Sequence, residues 1–251
     1  MSLNRRDFLR AAGFATLGLA GVSFASEKQT SGKRWAMAVD IKKCKASEGC
    51  TECSTACHYV HNVPEIQEKR HEVKWIWTES YGRVFDNHEN PYVNEKLKAL
   101  SIPVLCNHCE NPSCVRVCPT KATFKRKDGI VAMDFHRCIG CRYCMAACPY
   151  GSRSFNWFDP RGVDTNGKPF IREVYGKFPT RTKGVVEKCN FCIERLVRGN
   201  DPACVEKCPN GALVFGDVND PGSDIRKALA NSHATRRTPE LGTDPQVYYV
   251  V

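Results

Sequence analysis

Residues 138–149 read Cys-Ile-Gly-Cys-Arg-Tyr-Cys-Met-Ala-Ala-Cys-Pro. The four cysteines of this stretch are separated by two, two and three residues and are followed by proline, a spacing that holds [4Fe–4S] clusters in bacterial iron–sulfur proteins. The short gaps allow one tight loop to direct successive sulfur atoms inward, while its N–H groups form an anion-binding concavity. Zinc sites made of cysteine usually use two separated Cys-x2-Cys pairs, so the run favours an iron–sulfur cluster over zinc.

Three related runs account for every other cysteine. The runs Cys106–Cys118 and Cys189–Cys208 also end in Cys-Pro, whereas the run Cys44–Cys57 is followed by His58. The sixteen cysteines divide into four sets of four, which predicts four [4Fe–4S] clusters. Cys44 is the least secure ligand, because five residues separate it from the next cysteine; without it, that cluster would have an open iron site or three irons. The candidate ligands are Cys44, Cys50, Cys53, Cys57, Cys106, Cys109, Cys114, Cys118, Cys138, Cys141, Cys144, Cys148, Cys189, Cys192, Cys204 and Cys208.

The distances between the runs along the chain predict how they pair. In two-cluster ferredoxins, the fourth cysteine of each run binds the cluster of the other run. Twenty positions separate Cys118 from Cys138, fewer than the gaps on either side, so we expect the two middle runs to form one unit and the outer two another. The predicted sets are Cys44, Cys50 and Cys53 with Cys208; Cys189, Cys192 and Cys204 with Cys57; Cys106, Cys109 and Cys114 with Cys148; and Cys138, Cys141 and Cys144 with Cys118.

These runs predict an α+β fold made of two nested ferredoxin-like units. The inner unit would span about residues 103–150, and the outer unit would combine about 35–60 with 184–218. Long loop insertions separate the runs. The insertion 152–186 is interpreted either as a docking surface or as a passive loop, and the tail 236–251 as an extended arm that lies on the body or on a partner.

Local patterns predict the regular elements between the runs. Arg34–Asp40 alternates as a strand does, and Glu72–Thr78 does so with Val73, Trp75 and Trp77 on one face. Asp128-Gly129 separates two strand-like stretches, which is a strong signal for a hairpin. Ala212–Gly216 is expected to be a short strand and Asp224–Ser232 a helix.

The N-terminus resembles a twin-arginine export signal. Residues 4–10 read Asn-Arg-Arg-Asp-Phe-Leu-Arg and precede a weakly apolar stretch, which predicts a Tat signal peptide at 1–25 and an iron–sulfur domain at 26–251. The alternative is an ordinary amphipathic start. Tat substrates cross the membrane folded, which suits clusters inserted in the cytoplasm and a periplasmic location, and weighs against a disulfide framework.

The charge of +10 on 251 residues could indicate nucleic-acid binding. The basic residues are, however, interleaved with cysteines rather than gathered in a stripe, and four clusters would offset most of the excess charge. Four of the basic residues would supply positive charge near the sulfurs: Arg137, Arg142, Lys188 and Lys207. Apart from the leader, no apolar run approaches the roughly eighteen residues of a spanning helix, so membrane contact is expected only through a partner.

Residues 106–109 (Cys-Asn-His-Cys), residues 184–192 and the gap of eleven residues after Cys192 resemble a known family. It comprises the four-cluster iron–sulfur subunits of the DMSO-reductase, polysulfide-reductase and formate-dependent nitrite-reductase (NrfC-like) systems, and the resemblance covers most of 35–218. It implies the same nested pairing, a chain of clusters that conducts electrons, and an NrfD-like, quinone-interacting integral membrane subunit as partner.

A narrower resemblance rests on the leader, the stretched first run, and His61–Pro64 ahead of Lys74–Trp77. These features resemble the O subunit (DsrO) of the DsrMKJOP complex of sulfur metabolism, which implies a multihaem cytochrome c as a neighbour. The function predicted is electron transfer without catalysis. The alternatives are the electron-transfer subunit of a molybdopterin reductase, an enzyme that binds substrate at an open iron, and an assembly scaffold.

Overall fold

The structure is a computed structural model that describes residues 32–85, 92 and 94–251. The predicted signal peptide at 1–25 lies outside the described residues. The helices are α1 Glu52–Val60, α2 Tyr81–Val84, α3 Glu95–Lys98, α4 Ser113–Arg116, α5 Tyr143–Ala146, α6 Ile193–Leu196, α7 Ala203–Glu206 and α8 Asp224–Ala230. The strands are β1 Trp35–Asp40, β2 Ile76–Ser80, β3 Ser101–Leu105, β4 Thr123–Lys125, β5 Val131–Met133, β6 Ser154–Phe155, β7 Val186–Glu187, β8 Leu213–Asp217, β9 Ala234–Thr235 and β10 Val247–Val250. Over the described residues, no helix is long and apolar enough to cross a membrane.

Strand β1 lies inside a four-stranded sheet and is buried on both faces. The order of the strands is β8-β1-β10-β9, with β8 antiparallel and β10 parallel to β1. Ala36 and Ala38 pack against Ile225 of α8, whereas Met37 and Val39 belong to the main core on the other face. The strand predicted from the alternating pattern is therefore confirmed, and the small residues mark the face that the helix covers.

The hairpin predicted at Asp128-Gly129 joins β4 to β5. Thr123 pairs with Met133 and Lys125 with Val131 in an antiparallel ladder. Gly129 has a φ of +82°, and a Cβ at this position would lie 1.4 Å from the Arg34 guanidinium. Glycine is required here both by the turn and by the close approach of that side chain.

The second predicted strand begins later than the pattern indicates. Strand β2 starts at Ile76 and pairs antiparallel with β3, so that Ile76 lies opposite Leu105, the residue before Cys106. Val73 and Trp75 are buried but precede the strand. The Trp75 ring stacks on His61 at 4.3 Å between centroids, so packing against a distant residue accounts for its burial.

The C-terminal tail is part of the sheet, and the prediction of an arm is corrected in this respect. Strand β10 lies between β1 and β9, with Met37 opposite Val247 and Val39 opposite Tyr249. Val247 and Tyr249 are completely buried. The alternation of this strand is short and its main partner lies about two hundred residues away, so the local sequence does not reveal the pairing.

The short helices beside the cysteine runs pack in two pairs. Helix α1 packs against α7, and α4 packs against α5. The first run thus contacts the last, and the second contacts the third. The chain has mixed helix and sheet content, whereas the division into an inner and an outer unit stays a prediction.

Candidate metal centres

Two sets of four cysteines each line a small cavity. Site 1 consists of Cys44, Cys50, Cys53 and Cys208. Site 4 consists of Cys118, Cys138, Cys141 and Cys144. Each cavity combines three cysteines of one run with the fourth cysteine of another run.

The other eight cysteines form two further groups. Site 2 consists of Cys57, Cys189, Cys192 and Cys204, which are all buried. Site 3 consists of Cys106, Cys109, Cys114 and Cys148. Burial is the main cause of the raised pKa of Cys57 and of Cys109, and in each case the other three cysteines of the site raise it further. The cysteines within each group thus lie close to one another, while the four sets of cluster ligands stay a prediction.

The same strand pairing assembles sites 1 and 4. In the sheet, the Asp40 N–H donates to the Ala212 carbonyl at 2.7 Å. In the hairpin, the Asp134 N–H donates to the Ala122 carbonyl, also at 2.7 Å. Asp40 and Asp134 each lie four residues before the first cysteine of a run, and the two alanines lie four residues after the last cysteine of the partner run. This register brings the two runs that form each of these sites to one end of the paired strands.

Backbone N–H groups approach several of the sulfurs. The Ala212 N lies 3.2 Å from Cys208 Sγ, and the Thr123 N lies 3.5 Å from Cys118 Sγ. Burial raises the pKa of Cys118, but hydrogen bonds, the first from the Thr123 N–H, outweigh burial and lower it overall. Such donors favour the thiolate form, which is the form that binds metal.

The chemistry of each group fits a shared cationic centre. All sixteen cysteines are free thiols. Burial, with a smaller contribution from neighbouring sulfurs, raises the pKa of Cys53 to about 11 and those of Cys109 and Cys189 to about 12. Four buried thiols therefore oppose each other's ionisation unless positive charge lies among them, and bound metal deprotonates coordinating thiols outright. The residues present fit iron–sulfur clusters in this respect.

Each site has a cysteine that acts on a cysteine of the next site. After burial, Cys53 of site 1 contributes to the raised pKa values of Cys57 and Cys204 in site 2. Cys106 of site 3 acts in the same way on Cys189 of site 2. Cys114 of site 3 does so on Cys144 of site 4. The order in space is therefore site 1, site 2, site 3 and site 4.

The basic residues that are buried near the sulfurs are not the same set as the four that the sequence predicts. Arg137, Arg142 and Lys207 are exposed, whereas Lys188 is buried and its Nζ donates to the Cys189 carbonyl at 2.7 Å. Arg153, which the sequence analysis does not select, is buried as well and influences sulfurs of two sites. Its position five residues after Cys148 was the one available signal.

A second feature absent from the sequence analysis is the His61–Glu194 pair beside site 2. His61 Nε2 lies 2.9 Å from Glu194 Oε1, and Nδ1 lies 2.9 Å from the Cys57 carbonyl oxygen. His61, Cys192 and Glu194 are close enough together to hold a metal ion. Cys192 already belongs to site 2, and both imidazole nitrogens of His61 have protein partners, so this group is interpreted as the wall of site 2.

Comparison with known proteins identifies the family. Residues 97–161 and 175–218 match the model of the 4Fe-4S dicluster domain. The chain is 43% identical to the Hdr-like menaquinol oxidoreductase iron–sulfur subunit 1 of Archaeoglobus fulgidus, over 98% of this chain and 97% of that protein. The chain therefore belongs to the family of iron–sulfur subunits that contain a 4Fe-4S dicluster domain. It is also 39% identical to the menaquinone reductase iron–sulfur cluster-binding subunit of Nitratidesulfovibrio vulgaris, over 86% of this chain and 88% of that one.

A third relative extends the family to another reductase. The chain is 34% identical to a tetrathionate reductase subunit of Salmonella typhimurium, over 100% of this chain and 89% of that protein. The family consists of electron-transfer subunits rather than catalytic ones. This chain is therefore an iron–sulfur electron-transfer subunit of an oxidoreductase complex, and the prediction that it is not itself the enzyme is confirmed.

Proposed function

We propose that this protein carries single electrons through four [4Fe–4S] clusters, one in each of sites 1 to 4. The sixteen cysteines would be the ligands, in the four sets given above. The observation that carries the proposal is the succession of the sites, in which the sulfurs of each site are close enough to those of the next to influence their pKa values. A succession of centres with an end at site 1 and an end at site 4 suits conduction between two partners.

The residues of the chain hold the sulfurs and control the access of water. Each bound cluster would accept and release one electron, at a potential anywhere between about −700 and +450 mV. Site 2 is surrounded by core residues, and its four cysteines are buried. At site 4, by contrast, Cys141 and its neighbours Ile139 and Tyr143 are exposed. Water therefore has access to site 4, at one end, and is kept from site 2.

We infer that one partner is an NrfD-like integral membrane protein that interacts with quinone. Two relatives support this link, because their names specify a menaquinol oxidoreductase and a menaquinone reductase. The other partner would be a multihaem cytochrome c if the complex is of the Dsr type in sulfur metabolism. The alternative is a molybdopterin reductase of the polysulfide, thiosulfate or tetrathionate type, and the tetrathionate reductase relative supports it at least equally well.

We also propose that the protein works in the periplasm after export by the Tat system. The support is the twin-arginine sequence at residues 4–10. Export of a folded protein would allow the clusters to be inserted first, and membrane association would then depend on the integral membrane partner.

Anaerobic purification of the tagged protein from membranes of its own host tests the proposal. About sixteen irons and sixteen acid-labile sulfides per chain are expected, with EPR signals of reduced [4Fe–4S] clusters. Zinc, or cystine bridges in place of iron, would refute it. The proteins that copurify decide between the two complexes, since c-type haem supports the Dsr type and a molybdopterin enzyme supports the alternative.

A further inference from the structure

Arg153 is a buried cation without an acidic partner. Its side chain is 5% exposed, and it makes no ion pair with a carboxylate in the part of the chain that the structure describes. The backbone on both sides is fixed, because Ser152 Oγ donates to the Leu105 carbonyl and Ser154 Oγ accepts from the Lys74 N–H. Burying an arginine charge without compensation is costly, so negative charge is expected close to it.

The guanidinium lies against the wall of site 4. Nη1 donates to Thr123 Oγ1 at 3.1 Å and lies 3.9 Å from Met133 Sδ. Thr123 and Met133 both line the cavity of site 4. Nη2 is buried and has no oxygen acceptor among the described residues. These contacts give Nη1 its hydrogen-bond partner, but they leave the positive charge of the guanidinium without a counterion.

The guanidinium is subject to negative charge from two cysteine sites at once. Burial lowers the pKa of Arg153, but Cys114, Cys144 and Cys106 raise it, and the net effect is a raised pKa. Cys114 and Cys106 belong to site 3, whereas Cys144 belongs to site 4. Arg153 in turn opposes the rise in the pKa of Cys144 and of Cys148. The guanidinium therefore interacts with sulfurs on both sides of the step between sites 3 and 4.

We propose that Arg153 sets the reduction potentials of the clusters in sites 3 and 4 by holding one positive charge between them. The inference rests on the proposed function. Reduction adds one electron and one negative charge to a cluster, and a buried cation nearby favours the reduced form because the protein interior screens charge poorly. Arginine remains protonated at all ordinary pH values, so this contribution is permanent and independent of pH.

Sites 1 and 2 would lack this contribution. The largest contributions of cysteines to the pKa of Arg153 come from Cys114, Cys144 and Cys106, which belong to sites 3 and 4. Lys188, the buried cation beside site 2, has its ammonium bound to the carbonyls of Val131 and Cys189. Removal of the Arg153 charge should therefore affect two of the four potentials and leave the other two unchanged.

The test is an EPR-monitored redox titration of the holoprotein with Arg153→Gln and Arg153→Lys. In Arg153→Gln, two of the four midpoint potentials should become more negative by a tenfold fall in the reduction equilibrium constant, which is about 59 mV for one electron. Arg153→Lys keeps the charge and should retain most of the wild-type potentials. Arg137→Gln is the matched control: it removes the same charge next to Cys138, but its side chain is 67% exposed, so a change below about twofold is expected.

Each result decides the inference. Unchanged potentials in Arg153→Gln, an equal shift at all four sites, or the same shift in Arg153→Lys would overturn it. If Arg153→Gln does not bind iron, retention of iron and potentials in Arg153→Lys supports the role of the charge, whereas failure of both variants assigns Arg153 a structural role and overturns the proposal. Iron and sulfide in the wild-type protein are assayed in parallel, so failure of the proposed function itself is recognised separately.

Discussion

Replacing Arg181 by methionine should release the insertion 152–186 from the core. Arg181 Nη2 lies 2.5 Å from Glu187 Oε2, and the two side chains are 1% and 0% exposed. The guanidinium also donates to the carbonyls of His61, Asn62 and Pro179. The residue thus connects the insertion to the segment that carries Trp75 and His61 beside site 2.

The expected cost follows from the charge that would remain. Without Arg181, the buried carboxylate of Glu187 keeps, among the described residues, the Trp75 indole N–H at 2.9 Å and the Asn156 amide as its donors. Removing one partner of a buried ion pair usually costs about 3–5 kcal/mol of unfolding free energy. The orphaned carbonyl oxygens add to this cost.

The assay is the rate at which the holoprotein loses its cluster absorbance in anaerobic urea, because loss of iron makes unfolding irreversible. Each 1.4 kcal/mol lost from the barrier is about a tenfold increase in rate, so Arg181→Met should unfold at least about a hundredfold faster if the pair breaks before the transition state. Arg161→Met is the matched control, since the Arg161–Asp159 pair lies in the same insertion but is 56% and 49% exposed. Such a pair contributes about 0–1 kcal/mol. A rate for Arg181→Met within about threefold of the control would refute the reasoning.

Two further substitutions test a proposed ligand of site 1 and a residue that lies beside site 2. Cys44→Ala should lose about one iron of sixteen and give the EPR signal of an oxidised three-iron cluster; unchanged iron content would exclude Cys44 as a ligand. Glu194→Gln should speed cluster loss near pH 7, but not at a pH below the folded-state pKa of Glu194. Burial raises the pKa of Glu194, but hydrogen bonding to His61 and the His61 charge lower it overall below the ordinary value of 4.5. A lowered carboxylate pKa stabilises the fold above pH 4.5, and this contribution disappears as the pH falls through the folded-state pKa. Stopped-flow absorbance at both pH values measures the difference, and a difference that persists in acid would contradict this assignment.

The sequence predicts those parts of the fold whose causes are local. The Asp128-Gly129 turn and the alternation in Arg34–Asp40 specify a hairpin and a strand by the chemistry of adjacent residues. The position of Tyr249 depends on a strand at the other end of the chain, and no local pattern encodes that partner. Arg153 was missed for a similar reason, because its role depends on burial between two cysteine sites rather than on its neighbours in sequence.

The two halves of the cysteine arrangement differ in how far apart along the chain their strands lie. Beside site 4, β4 and β5 are joined by a short turn, and this two-stranded ladder stands without a further strand among the described residues. Beside site 1, β1 must pair with β8 across most of the chain, and the entropic cost of closing a loop rises with its length. Strand β10 on the other edge of β1 and helix α8 against Ala36 and Ala38 supply the additional burial at this point. The C-terminal strand therefore belongs to the physical support of site 1, because the β1–β8 register that it stabilises brings Cys208 to the cysteines of the first run.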